Sequence, residues 1–561
     1  MLTSDKLMVQ LVVDQCEAHG ISKIVFSPGS RNSPFAISFD ENPFFETYVI
    51  HDERSAAFFA LGLSQELKKP VALCCTSGTA ALNYYPAVAE AFYRSIPLLV
   101  ITADRPVSWI NQGDGQTIVQ RDVYKNHIRY EVNLTDGTNS ETDIWYAKRE
   151  TATGLAILTG KWKGPVHFNI GLNEPLYNAT EKGLNFSRRL NQNQVVGQLS
   201  GEFCGRVIPI LEQSKIMVLC GQLPENKLLK QALEEFSNHS NVLVLVENTS
   251  NIQSEKFIHC IDRVLNGITE ETNFYPDLLI TLGGAVVSKK IKSFLRRAKP
   301  KNHWKIGFDF PFMDTYQCLS DSIELTENQF FETINKLDFK RSQLNYFGKW
   351  KKIDLIARDA IDTVIHLLPS FTDIHVFYHL FDCLPESSIL HIGNSSVVRY
   401  TQLFDPIRSI LYESNRGTSG IDGSTSTAIG AAIANPSKTH YFVTGDISAL
   451  YDSNAFWIAN FPKNLKIIVI NNFGGGIFRI IPGPATSKQR ATYFEAKHQQ
   501  TVAPIAAAFG IKSETINNLN AFIEKLPAFL NPENEIQLLE VFTDAQQNAE
   551  NLDQFFNNIR N

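Results

Sequence analysis

Residues 439–478 read THYFVTGDISALYDSNAFWIANFPKNLKIIVINNFGGGIF. Two apolar, β-branched runs, HYFVTG and LKIIVIN, have the composition of strands buried on both faces. The segment between them, ALYDSNAFWIANF (449–461), is expected as one helix. Strand, helix, strand is the crossover that joins parallel neighbours, so the two runs are expected side by side in one sheet. The first ends on Gly445-Asp446 and the second on Asn471-Asn472. A carboxylate and an amide oxygen then share the carboxyl edge of the sheet, where open α/β sheets bind their ligands. With a backbone carbonyl, assigned to Gly474, they make a set of hard oxygen donors suited to Mg²⁺ or Mn²⁺. Waters and the oxygens of a diphosphate would complete the shell. Gly474, Gly475 and Gly476 follow at the point where backbone must approach phosphate closely.

The same alternation of strand-like and helical stretches runs outward through most of the chain, which argues for α/β domains with largely parallel sheets. The N-terminal series is KIVFSPG, TYVIH, PVALCCTSG, IPLLVITAD and GPVHFNI. The middle series is KIMVLCG, NVLVLVEN, DLLITLGG and HWKIGFD. The last is SSILHIGN, SILYES, THYFVTGD, NLKIIVINN and EIQLLEVF. LNFSRRLNQNQ (184–194) carries no periodicity and reads as a linker, and the polar, aromatic-punctuated stretch around 337–350 reads as a second boundary. The expectation is three consecutive doubly wound parallel-sheet domains, 1–185, 195–337 and 350–561. A chain of 561 residues is too long for a single core.

Composition narrows the class by exclusion. Net charge is −6, which gives no basic field for nucleic acid. No apolar run approaches the roughly 20 residues that span a bilayer. The N-terminus, MLTSDKLMVQLVVDQ, places Leu7, Met8, Leu11 and Val12 at helical spacing, with Ser4 or Asp5 as cap and Gly20 as stop, and lacks the basic leader of a signal peptide. The eight cysteines form no CxxC pair and several lie inside apolar strands, so they read as small buried hydrophobes in a reducing, cytoplasmic setting rather than as zinc ligands.

The GD…NN arrangement resembles the diphosphate motif of thiamine diphosphate enzymes, with Ile447 where that motif usually has glycine. The resemblance implies a second element, a glutamate that hydrogen-bonds the cofactor's aminopyrimidine ring. YVIHDERSAAFFALGLSQ offers Glu53, just after a strand and at the start of a helix of small and apolar residues, where an apolar pocket would raise its pKa. A glutamate at a helix start is also an ordinary dipole partner, and the flanking SPGSR and TSGTAALN segments are what favour the cofactor role.

The ordered set SPGSR (27–31), HDER (51–54), TSGTA (76–80), TADRP (102–106), GNSSVVR (393–399), SNRGTSGIDG (414–423), GDISALYDSN (445–454) and NNFGGGIF (471–478) closely resembles one family over essentially the full length. That family is the 2-succinyl-5-enolpyruvyl-6-hydroxy-3-cyclohexene-1-carboxylate synthases of menaquinone biosynthesis. The resemblance implies a pyrimidine-binding first domain, a central spacer and a diphosphate-binding last domain. It implies a carboligase that decarboxylates 2-oxoglutarate and adds the succinyl carbanion to isochorismate in the 1,4 sense. The working form it implies is a homodimer, or a dimer of dimers, whose sites are shared between chains.

Both substrates are dicarboxylates, and Arg31, Arg105, Arg399 and Arg416 lie on strand-end loops where a guanidinium fork can pair with carboxylate. By resemblance Lys289 and Lys290 add a basic pair that reaches the site, while Lys292, Arg296 and Arg297 read as decoration along a helix face. For any one of these cations solvent exposure is the plain alternative, so the argument rests on the set. The resemblance further assigns Ser30, Gln116, Asn394 and Ser395 as polar substrate contacts. Ser419, Gly445, Ile447, Ser448 and Gly475 fall to the cofactor, Ile421 is the wedge that bends it, and Ile477 and Phe478 form an apolar floor. Core packing is the other reading of Ile421 and Phe478. No histidine is needed, and His51 reads as strand-end structure. An acetolactate-synthase-like enzyme or a simple 2-oxo acid decarboxylase would share the cofactor motif but want a small apolar substrate pocket. A dinucleotide dehydrogenase would want GxGxxG after the first strand, which SPGSR does not supply. A non-catalytic relative would be expected to lack Glu53 or Asp446.

Overall fold

The computed structural model describes residues 1–137, 140–182, 185–190, 197–340 and 342–560. Among these the β-branched runs form three helix-flanked sheets, the α/β class expected. The first orders its strands Glu46–Val49, Lys23–Phe26, Val71–Cys75, Leu98–Asp104, Val166–Gly171 and Tyr130–Thr135, all parallel. The second runs Val242–Val246, Ile216–Cys220, Leu278–Leu282, Asn302–Ile306 and Asp321–Ile323, again parallel. The third runs Leu411–Glu413, Ile389–Ile392, His440–Gly445, Leu465–Asn471, Leu538–Phe542 and Ser513–Ile516. In each sheet the chain builds first to one side of its opening strand and then crosses to the other. The resulting switch points lie at the carboxyl ends of Lys23–Phe26 and Val71–Cys75 in the first sheet, and of Ile389–Ile392 and His440–Gly445 in the third. Such points are where doubly wound sheets open a crevice for ligand.

The described residues pack into two compact units that do not follow chain order. One gathers Met1–Gln194, Gly417–Lys438 and Tyr451–Leu465; the other gathers Val195–Arg416, Thr439–Leu450 and Lys466–Asn561. Of the expected linker 184–194, Leu184 and residues 191–194 lie outside the described residues.

In the first unit, helix Leu7–Ala18 buries Met8, Leu11 and Val12. Its cap differs from expectation. Lys6 is the N-cap residue without a side-chain bond, because Ser4 is committed to strand Leu2–Ser4, which pairs antiparallel with Ala179–Glu181. Helix Glu53–Leu67 begins under Asp52, whose carboxylate accepts the Ser55 N–H at 2.9 Å. It crosses helix Ser424–Ala434 at near backbone contact. A Cβ on Gly62 would lie 2.0 Å from the Thr427 carbonyl oxygen, and one on Gly430 would lie 2.1 Å from that of Phe59. Only glycine allows that approach.

The single helix expected over 449–461 is instead two pieces, helix Asp446–Tyr451 and a 3-10 turn Ser453–Trp457. Asp452 separates them. Its buried carboxylate accepts the Ser426 N–H at 2.8 Å and the Ser426 hydroxyl at 2.9 Å, and burial pushes its pKa up to about 7.

In the second unit the central and C-terminal sheets are laced by buried and half-buried amides. Asn248 Nδ2 donates to the Thr401 carbonyl (2.7 Å), Gln222 Nε2 to that of Ser414 (2.7 Å), and Asn251 makes a reciprocal pair with the Tyr412 backbone. Arg263, fully buried, donates to the Leu403 carbonyl and to Asp405 and Asp354. Tyr346 and Trp350, in the stretch expected as a boundary, are core residues, with Trp350 edge-on to Phe274 and Phe294. All eight cysteines are free. Cys16, Cys74, Cys75, Cys220 and Cys260 are buried and the other three half-buried. No helix among the described residues is long and apolar enough to cross a membrane.

Candidate active site

At the carboxyl edge of the third sheet, Asp446 follows strand His440–Gly445 and Asn472 follows its neighbour Leu465–Asn471, as the spacing predicts. Both are buried. Asp446 Oδ1 accepts the Ile447 N–H at 2.7 Å, Oδ2 accepts the Gly474 N–H at 3.0 Å, and His498 Nε2 lies 3.3 Å from Oδ2. Burial pushes the Asp446 carboxyl up, opposed by those N–H groups and by His498. Ile447, the departure from the usual glycine, sits half-buried in the first turn of helix Asp446–Tyr451, so no glycine-only backbone is needed there. Gly474 has φ +154°, and a Cβ there would meet the Glu495 carbonyl at 2.7 Å. Gly475 donates to that same carbonyl.

Asn472 Oδ1 is buried and meets no hydrogen-bond donor among the described residues. A buried acceptor without a donor is costly, and a cation would satisfy it. The donor set therefore fits a hard divalent ion. No group of three His, Cys, Asp or Glu side chains able to hold a metal occurs among the described residues, so a site here rests on the Asp446 carboxylate, amide oxygen and backbone carbonyl. Ile477 is buried beneath this loop, and Phe478 is half-buried with its ring 5.9 Å from that of Phe494.

The second unit also collects its cations. Arg416, 8% exposed, donates from Nη1 to Asn394 Oδ1 at 2.7 Å, while Asn394 Nδ2 donates to the Asn415 carbonyl at 2.8 Å. Arg399 donates to the Ser395 carbonyl. Burial and then Arg416 lower the Arg399 pKa, with Asp262 and Glu247 opposing. Lys290 holds its ammonium 3.5 Å above the Phe556 ring, its pKa lowered by burial against Asp262 and Asp553. Lys289 is exposed. Lys292 corrects the expectation of decoration. It is half-buried, donates to the Val286 carbonyl at 2.6 Å, and its pKa is lowered by burial and by Arg416 and Arg399, with Glu247 opposing. Arg296 and Arg297 are exposed as expected.

Two acids missed in the sequence hold this cluster. Glu247 is buried and accepts the N–H groups of Val287 (2.7 Å) and Ser288 (2.8 Å), which fixes the start of helix Lys289–Ala298. Burial pushes its pKa up to about 7. Asp262 accepts the Ser288 hydroxyl.

In the first unit, Arg31 is 4% exposed and its fork is already engaged, with Nη1 on the Leu172 carbonyl and Nη2 on Glu174, each at 2.9 Å. Ser30 and Gln116 are exposed on their loops. Arg105 donates from Nη2 to the Gly115 carbonyl (3.0 Å), with Nε 3.3 Å from Asp114. Glu53 is half-buried rather than enclosed in an apolar pocket, and makes no hydrogen bond or ion pair among the described residues. Its neighbour Cys75 has its thiol pushed up by burial, with Cys74 and Glu53 adding to the effect. His51 stacks on Trp457 at 4.6 Å.

Ile421 is 37% exposed, so it is not a core residue of its unit. The loop that carries it and Ser419 is held by Glu90, a buried acid that the sequence reading passed over. Glu90 accepts the Gly417 N–H (2.8 Å), the Thr418 N–H (2.6 Å) and the Thr418 hydroxyl (2.8 Å). Gln116, Ser395 and Ser419 all have positive φ (+54°, +69° and +62°). Such backbone is uncommon outside glycine and clusters at functional sites.

Strand-end donors for a diphosphate-bound cation, together with a strand-end glutamate opening a small-residue helix, define the class of thiamine diphosphate-dependent enzymes. Residues 8–125 match the family described as thiamine pyrophosphate enzyme, N-terminal TPP binding domain, and residues 391–541 match its C-terminal TPP binding domain. Over 561 residues the chain is 44% identical to the 2-succinyl-5-enolpyruvyl-6-hydroxy-3-cyclohexene-1-carboxylate synthase of Flavobacterium psychrophilum, covering 98% of each. Synthases of the same name from Flavobacterium johnsoniae (42% identical; 98% of this chain and 99% of the relative) and Porphyromonas gingivalis (38%; 99% and 98%) are similar throughout. The chain belongs to the 2-succinyl-5-enolpyruvyl-6-hydroxy-3-cyclohexene-1-carboxylate synthase family.

Proposed function

We propose that this chain decarboxylates 2-oxoglutarate and joins the remaining four-carbon succinyl unit to isochorismate by 1,4-addition, releasing CO₂, as a cytoplasmic step of menaquinone biosynthesis. Thiamine diphosphate, bound with Mg²⁺ or Mn²⁺, supplies the electron sink for the carbanion chemistry. Asp446, Asn472 and the Gly474 carbonyl would hold the ion. Gly445, Ile447, Ser448, Gly475, Ile477, Ser419 and Ile421 would cradle the cofactor. Glu53 would hold and move a proton at its pyrimidine nitrogen. Arg399 and Arg416, with Lys289, Lys290, Asn394, Ser395 and Phe478, would bind and orient the substrates. Ser30, Arg31, Arg105 and Gln116 would do the same from the first unit.

One observation carries the choice of substrate class. Four cations gather around two acids in one unit: Arg399 interacts with both Glu247 and Asp262, Arg416 and Lys292 with Glu247, and Lys290 with Asp262. That excess of partly buried positive charge suits dicarboxylates, whereas an acetolactate-type enzyme has no use for such a cluster. We further infer a homodimer, or a dimer of dimers, in which Glu53 of one chain serves with Asp446 of its neighbour. Family resemblance supports this, as does the lack of any partner for Glu53 among the described residues of its own chain. Incubation with 2-oxoglutarate and isochorismate, with and without thiamine diphosphate, tests the reading. Cofactor-dependent CO₂ and a new adduct are expected. CO₂ release indifferent to isochorismate, with no adduct, would favour a simple decarboxylase.

A further inference from the structure

Strand Leu538–Phe542 reads LLEVF, and Glu540 at its centre, between apolar Leu539 and Val541, is fully buried. A carboxylate so placed is costly unless donors meet it. Three do. The Val502 N–H donates to Oε1 at 2.8 Å, the Ala503 N–H to Oε2 at 2.9 Å, and Asn471 Nδ2 to Oε1 at 2.7 Å. Asn471, itself fully buried, also donates from Nδ2 to the Gln500 carbonyl at 3.1 Å. With acceptors on its nitrogen side the amide has one workable sense, and its Oδ1 accepts the Phe473 N–H at 3.0 Å. A flipped amide would set oxygen against a carboxylate and a carbonyl, and NH₂ against an N–H. Phe473 needs that hold. Its φ is +59°, a left-handed conformation uncommon for a bulky residue, and its carbonyl is fastened by the His498 N–H at 3.2 Å. Residue 473 lies between the two groups of this loop that would hold the ion, the Asn472 side-chain oxygen and the Gly474 carbonyl. The turn there sets how those two oxygens stand to each other.

From this we propose that Glu540 and Asn471 are a positioning pair. Glu540 fixes the sense of the Asn471 amide, and the amide oxygen holds the turn at Phe473 that presents Asn472 and the Gly474 carbonyl to the divalent ion. The proposal rests on the reading of Asn472 and Gly474 as ligands and adds what arranges them. Partners that orient a metal ligand typically account for about 10- to 100-fold in metal affinity.

The test is a calorimetric titration of Mn²⁺ into the full-length, metal-free protein with a fixed excess of thiamine diphosphate. It compares wild type with Asn471→Ala, Asn471→Ser, Glu540→Gln, the Asn471→Ala/Glu540→Gln double variant and Asn472→Ala. Asn471→Ala and Glu540→Gln are each expected to weaken Mn²⁺ binding by about 10- to 100-fold. The double variant should bind no more weakly than Asn471→Ala, because Glu540 acts on the ion through that amide. Asn471→Ser, whose hydroxyl can still accept the Phe473 N–H, should bind more tightly than Asn471→Ala. Wild-type affinity in Asn471→Ala or in Glu540→Gln overturns the proposal. So does a full additional loss in the double variant, which would mean a general structural role for Glu540. Should the Glu540 variants fail to fold, Asn471→Ser decides, and an affinity no better than that of Asn471→Ala overturns the proposal. If Asn472→Ala binds Mn²⁺ like wild type, the ligand reading falls first and the proposal with it. If Asn472→Ala weakens binding while Asn471→Ala does not, the proposal alone falls.

Discussion

Replacing Glu247 with glutamine should change the pH dependence of stability of the central sheet in a defined direction. The folded-state pKa of Glu247 is raised by burial to about 7, from an ordinary 4.5. A carboxyl raised on folding favours the folded state fully only below its unfolded value, and that contribution is lost as pH climbs through the folded value. The window is therefore roughly pH 4.5 to 7, and at about 1.4 kcal/mol per unit the loss totals about 3 kcal/mol. Most of it, about 2 to 3 kcal/mol, falls between pH 5 and pH 8. The glutamine side chain does not titrate. It keeps one acceptor oxygen for the two N–H groups of Val287 and Ser288, a pH-independent cost of about 1–3 kcal/mol. The Glu247→Gln variant should thus be less stable than wild type at pH 5 and should match or exceed it at pH 8. Urea unfolding of both proteins at the two pH values, followed through the buried Trp304 and Trp350, measures the difference. A stability gap of the same size at pH 5 and pH 8 would show that Glu247 is not protonated on folding, and would refute the reasoning.

Thiamine diphosphate should bind only with a divalent ion, and Asp446→Ala should abolish that binding; tight metal-free binding by calorimetry contradicts this. Glu53→Gln should retain cofactor but lose about 10²- to 10⁴-fold in turnover, and wild-type exchange of the cofactor's C2 proton in the variant would release Glu53 from the role. Arg399→Ala and Arg416→Ala should each weaken handling of the dicarboxylates by about 10- to 150-fold with cofactor affinity nearly unchanged; unaltered steady-state constants would return both to structure. Co-expression of Glu53→Gln with Asp446→Ala, under two affinity tags, should give hybrid dimers with one intact site, and random pairing should restore about a quarter of wild-type activity. A purified hybrid no more active than either parent excludes sharing.

The residues that were legible in the sequence are those whose chemistry follows from local position. Asp446, Asn472 and Glu53 follow strand ends, where apolar runs stop and turn residues begin, and the structure leaves them there. Residues defined by distant partners were not legible. Glu247 reads as an ordinary strand-end acid until Val287 and Ser288 are folded onto it. Lys292 reads as one more charge on a basic helix, and only the anchoring of that helix start turns it toward Arg399 and Arg416. The helix expected over 449–461 fails at Asp452 because Ser426 takes its carboxylate. The strand–helix–strand alternation is a local signal, so parallel sheets and the pairing of His440–Gly445 with Leu465–Asn471 were readable, while the full strand order was not. The buried acids Glu90 and Glu247 act across the fold and were not.

The tie between Glu90 and residues 417–418, and the glycine crossing of Gly62 with Gly430, bear on how the gene could be divided. Residues 417–438 follow the second unit in sequence yet take their anchor from helix Tyr85–Tyr93 and their packing from helix Glu53–Leu67. A fragment cut at residue 350 would carry Asp446 and Asn472. It would strand two backbone N–H groups that Glu90 satisfies and lay bare the glycine face of Ser424–Ala434. Chimaeras joined at domain-like boundaries would inherit the same fault unless both parents agree at Glu90, Gly62 and Gly430. The smallest exchangeable piece is therefore discontinuous: the N-terminal residues together with 417–438 and 451–465, moved as one.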